Sequence, residues 1–161
     1  MDWLPSIARR WLAGAAATAG LRRNTPLPPL HQELLSTARS LLERQEYRAA
    51  VVIAQTACEV LTAQVIRQLL NVRQAGDLEE WVADSLPSFS LDNRAIRDLY
   101  VTLSGDQIQE RSLRPRYTGH VQHWNRVAHR SEAATREEAE DSCAAAAELI
   151  EHLEPILNRA K

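Results

Sequence analysis

Aromatic residues are scarce in this chain: one Phe, three Tyr and four Trp make up 5% of 161 residues. A core must therefore be built from Leu, Ala, Val and Ile. Glycine is scarce too, at five residues, which argues against an all-β fold rich in tight turns. The only cysteines, Cys58 and Cys143, are far apart and lack CxxC spacing, so neither a disulfide scaffold nor a zinc site is expected. Neither sign of charge dominates. The net charge is -2 and the pI about 6.2, which excludes a uniformly basic nucleic-acid binder but not a local basic patch. No apolar run approaches the roughly 20 residues needed to span a bilayer, so no transmembrane segment is expected. There is no phosphate-cradling Gly loop, no nucleophile elbow and no paired metal-ligand spacing. A small-molecule enzyme has little support, and no cofactor or metal is expected.

What is present is globular in composition, with 45% hydrophobic and 25% charged residues. Residues 1–29 read as an amphipathic segment followed by a Pro-rich linker. Trp3, Leu4, Ile7, Trp11 and Leu12 fall near helical spacing. Asp2 precedes Arg9 and Arg10, which is the wrong order for a secretory signal. The segment is read as a helix docking on the body or on a partner rather than on a membrane, and a cytoplasmic location is expected.

Residues 30–161 read as one all-α domain of four main helices. Leu34, Leu35, Ala38, Leu41 and Leu42 repeat at the three-four spacing of a buried face. Glu43 to Glu46 breaks that pattern. A longer stripe then runs from Tyr47 through Ala54, Cys58, Leu61 and Val65 to Leu69. The short joint makes these two helices antiparallel neighbours. A short inserted helix is expected with Asp77 as N-cap, Trp81 and Val82 inward, and Pro87 at its end. Asp92 is read as the cap of another, with Ile96, Leu99, Tyr100 and Leu103 inward. Residues 107–118 look irregular, and helical spacing resumes at Val121. Thr135 and Glu138 form a capping box that opens the last helix, whose stripe runs from Ala139 to Leu157.

The informative segment is His120-Val-Gln-His-Trp-Asn-Arg-Val-Ala-His-Arg130, followed by Ser131 and the capped helix. Asn125 and His129, with Val127, Ala128 and Arg130 around them, resemble the motif of the HEPN superfamily of helical bundles. The run Glu46 to Glu59, small residues ending in an acid, resembles that family's second helix. The resemblance covers roughly residues 30–160 and implies an up-and-down four-helix bundle. It also implies an RNA-directed function in a bacterial defence or toxin–antitoxin setting, and a homodimer with Trp124 at its interface. A cognate antitoxin or neighbouring protein is a further implied partner.

In such ribonucleases an Arg directly before the Asn acts with the His. Here that position holds Trp124. His129 can take the proton of a ribose 2′-hydroxyl or protonate the leaving oxygen. Trp124 cannot steady charge on the phosphate. Arg126 lies about 200° round the helix from it and is a poor substitute. Arg130 is the better one. Nuclease activity is therefore expected to be weakened or lost, and a non-catalytic dimerisation or protein-interaction module is the alternative.

Two readings stand at each site. Asn125 and His129 share a helix face and either carry chemistry or finish the helix. Glu59 is either a buried acid satisfied by an Arg or a supporting acid that sets the pKa of His129. Arg111, Arg114, Arg116 and Arg126 either bind RNA phosphates or form a solvated face paired with acids.

Overall fold

The computed structural model describes residues 27–78, 82 and 88–160. The N-terminal amphipathic segment lies outside these residues, as does most of the expected inserted helix. The described residues form five α-helices and no strand. These are α1 (Leu30–Glu43), α2 (Tyr47–Val72), α3 (Arg94–Ser104), α4 (Leu113–Arg130) and α5 (Arg136–Arg159).

α2 is the central element. It packs on α1, α3, α4 and α5. Ala50, Ala54, Ala57, Cys58, Leu61 and Val65 are completely buried along it. The small residues let neighbouring helices approach closely, and the Leu and Val fill the gaps between them. By length and composition alone, α2 would also pass as a membrane span. Its apolar residues are the core of the bundle. α1 turns into α2 through Gln45, whose φ of 63° reverses the chain within a few residues.

α3 begins one residue later than the sequence suggests. Its cap is Asn93, whose Oδ1 accepts from the backbone N–H groups of Ala95 and Ile96. Asp92 is drawn away by Arg114, at 2.8 Å, and by the Thr118 hydroxyl, at 3.0 Å. A charged partner outcompetes a cap bond, which a neutral Asn can supply equally well. Gly105 ends α3 with a φ of 72°, a left-handed conformation that costs a glycine little.

Residues 107–118 are more regular than their sequence suggests. A single 3-10 turn, Ile108–Glu110, leads into α4, which is already helical at Leu113. Pro115 lies in the first turn of α4, where its missing N–H would have no intrahelical partner anyway. Two buried tyrosines pin this region. The Tyr117 hydroxyl lies 3.1 Å from Ser90 Oγ, and the Tyr100 hydroxyl donates to Asp106 at 2.8 Å. α5 opens on the expected capping box: Glu138 N–H donates to Thr135 Oγ1, and Thr135 N–H to Glu138 Oε2. Both cysteines are buried and free, and Cys58 is wholly enclosed.

Candidate functional site

α4 presents two different faces, and both carry titratable side chains. Its last two turns hold Asn125, His129 and Arg130, all exposed. The helix is finished by backbone alone. Ser131 enters the left-handed region at φ 55°, and the N–H groups of Ser131 and Glu132 donate to the Arg126 carbonyl. The side chains of Asn125 and His129 take no part in that closure. Two basic residues in the last turn, His129 and Arg130, suit the negative end of the helix dipole. Among the described residues Arg130 has no ion-pair partner and His129 no hydrogen bond.

Among the described residues, the aromatic ring in contact with His129 is that of Trp124. The two rings meet edge to face with centroids 5.2 Å apart. Trp124 is half-buried and packs against both apolar clusters of the core, the main one and a smaller one of Val51, Val127 and Ala139. It anchors the end of α4 to the body, with part of its surface left to solvent.

Glu59 stands elsewhere. It accepts from Gln55 Nε2 at 2.9 Å, and Gln55 also approaches the Tyr117 hydroxyl at 3.5 Å. Tyr117 is about 18 Å along α4 from His129. No Arg pairs with Glu59 among the described residues, and no bond joins it to His129. Burial pushes its carboxyl above the usual range, with the Gln55 bond pulling the other way.

Each of the four arginines has an acidic partner. Arg111 pairs with Asp106 at 3.1 Å, Arg114 with Asp92 at 2.8 Å and Arg116 with Glu148 at 2.7 Å. Arg126 lies 3.4 Å from Glu132 and 3.9 Å from Glu138. Glu138 is the only member of the acidic stretch at residues 137–141 that serves one of these four.

The opposite face of α4 holds what its sequence did not reveal. His120 and His123 point inward towards α5, buried at 3% and 6% exposure. His123 Nδ1 lies 3.1 Å from Ser142 Oγ. Neither nitrogen of His120, nor His123 Nε2, has a hydrogen-bond partner. Burial, and then the neighbouring His123, push the His120 pKa down to about 4. The spacing of three between these histidines was the available signal, but their partners lie on a helix that follows an intervening turn. No three His, Cys, Asp or Glu side chains among the described residues are placed to hold a metal ion.

A second network was also hidden. Asp106 accepts from Tyr100 and Arg111 and lies 2.7 Å from His152 Nε2. Partial burial alone would raise its carboxyl, but the bonds from His152, Tyr100 and Arg111 outweigh that and lower it.

Comparison with protein-family models, with curated proteins and with solved structures gives no match.

Proposed function

We propose that residues 30–161 form a HEPN-like up-and-down four-helix bundle, RNA-directed and homodimeric, whose nuclease activity is weakened or lost. A bacterial defence or toxin–antitoxin setting, with a cognate partner protein, belongs to the same proposal. The observation that carries it is the end of α4. An exposed imidazole, His129, stands beside an unpaired guanidinium, Arg130, with Asn125 on the same face as the imidazole and Trp124 against its ring.

His129 has the exposure a general base or acid needs. What the site lacks is a second charge on the same face. Arg130 is about 100° round the helix from His129, and Arg126 is held by Glu132 and Glu138. A phosphate placed beside His129 would thus meet an indole where charge stabilisation is needed. Loss of one such contact is worth about 3 kcal/mol, or about a hundredfold in rate.

The test is an RNA-cleavage assay without added metal, comparing wild type with His129→Ala. Little or no cleavage by wild type is expected. Robust cleavage that is lost in His129→Ala would overturn the weakened state and leave the site.

The second reading, a non-catalytic dimerisation or interaction module, is favoured by one observation: Arg111, Arg114, Arg116 and Arg126 each meet an acid of the same chain. RNA binding that is undetectable even at low salt decides for it.

A further inference from the structure

α4 and α5 enclose a groove of about 340 Å³. It opens on the side of α4 away from His129: His120, on its wall, is nine positions from His129, about half a turn round the helix and about 13 Å along it. Arg126 and Arg130 lie between the two. This wall holds three buried ring nitrogens with no hydrogen bond among the described residues, both of His120 and Nε2 of His123, the last lying 3.8 Å from Glu138 Oε2. Buried polar groups in folded proteins are nearly always paired. His123 is held by Ser142 through its other nitrogen, so Nε2 is fixed in direction.

Gly119 is the second observation. It sits inside α4, where glycine is less favourable than alanine. A Cβ there would meet no atom within 4 Å. Packing does not require the glycine, and it lines the groove. Its missing side chain keeps the groove open.

The lining is of mixed charge. Arg126 has ion pairs at 3.4 Å with Glu132 and 3.9 Å with Glu138 but no hydrogen bond among the described residues, so it keeps N–H groups to donate, and Asp141 offers a carboxylate with no ion pair among them. His120 is neutral near pH 7, because burial disfavours its charged form. It presents one N–H and one lone pair. An anion would be opposed by Asp141 and Glu138, the lining Arg116 is engaged by Glu148 at 2.7 Å, and no three His, Cys, Asp or Glu side chains among the described residues are placed to hold a metal. A planar, uncharged ring with donors on one edge and acceptors on another satisfies all of these groups.

We propose that this groove takes an unstacked guanine base of single-stranded RNA. Asp141 would accept from N1–H and N2–H₂, while Arg126 and the imidazole of His120 or His123 would donate to O6 and N7. Single-stranded RNA is read in this way, by splayed bases bonded along their edges. The inference rests on the RNA-directed reading and extends it from the cleavage face of α4 to the opposite one.

The experiment titrates the full chain with GMP, AMP and inorganic phosphate while following the imidazole NMR resonances, in wild type and in Gly119→Leu. The leucine fills the groove from an open position and improves helix propensity. GMP is expected to move the His120 and His123 signals with at least tenfold higher affinity than AMP. Phosphate should leave them in place, and Gly119→Leu should lose the GMP response at an unchanged or higher melting temperature. Absence of a GMP response, or an equal response to AMP or phosphate, overturns the guanine site. Single-stranded RNA that binds wild type and Gly119→Leu equally also overturns it and leaves the RNA-directed reading standing. A GMP response with no RNA binding keeps the base site and removes that reading.

Discussion

The indole of Trp124 and the imidazole of His129 meet at an interplanar angle of 80°, ring edge against ring face. One side chain thus serves two surroundings, because Trp124 also packs on both core clusters. An arginine at this position would bring a guanidinium beside the same imidazole and remove an indole from the core. Trp124→Arg is therefore expected to do two things at once. Stability should fall by about 1–3 kcal/mol, less than the full cost of deleting a buried Trp. Metal-free RNA cleavage should rise at least tenfold over wild type. Thermal melts and a cleavage assay on the same preparation check both. A folded Trp124→Arg protein with no gain in cleavage counts against the rest of the site being competent.

His120 sets an acid limit on the fold. Its pKa is pushed down to about 4 by burial, against about 6.5 when unfolded. The unfolded chain therefore binds the extra proton first as pH falls. Stability is complete above about pH 6.5 and declines to about pH 4, by about 3 kcal/mol in all. The lowered carboxyls of Asp106, Glu138 and Glu154 add to the decline at its acid end and the raised carboxyl of Glu59 opposes it, so the difference between wild type and His120→Phe isolates the His120 share. Urea titrations at several pH values should show this slope. His120→Phe should flatten it, and an unaltered slope in that variant would assign the effect to another group.

The helices were legible in the sequence because their signals are local. The capping box needs only Thr135 and Glu138, three residues apart. The stripe from Tyr47 to Leu69 needs only its own period. What could not be read depends on partners far along the chain. Asp92 and Asn93 are equally good caps in sequence, and Arg114, 22 positions on, decides between them. The arginines look like a positive cluster until Asp106, Asp92 and Glu148 are brought to them. Pro115 reads as a break, although the first turn of a helix tolerates it. At the candidate site, the sequence marked Asn125, His129 and Arg130 at the end of their helix, where they do stand. Nothing in it marked His120 and His123 as facing α5.

Arg114 separates the RNA-binding role of the arginines from a structural one. Its guanidinium is 19% exposed and joins Asp92 and Thr118. Arg114→Ala leaves a partly buried carboxylate with only a hydroxyl for company. It is expected to lower stability by about 2 kcal/mol. RNA affinity in the folded variant, measured at fixed salt, should change less than twofold. A large loss of affinity with stability intact would return Arg114 to the RNA surface.

Glu59 decides what the second helix contributes to the site. Its only hydrogen-bond partner among the described residues is the Gln55 amide, and burial holds its carboxyl above the usual range. The folded state thus prefers the protonated form. As pH rises from the ordinary carboxylate range through the raised value, the folded protein must give up a proton later than the unfolded one does. Stability falls across that window and stays lower above it. Glu59→Gln keeps the size and the capacity to bond Gln55 while removing the charge. The variant should be at least as stable as wild type at pH 8, with the greatest gain there and the least at pH 4. Because Glu59 lies by Tyr117 and not by His129, the NMR titration of the His129 imidazole should be unchanged. A shifted His129 titration in Glu59→Gln would instead make Glu59 a supporting acid acting across the bundle.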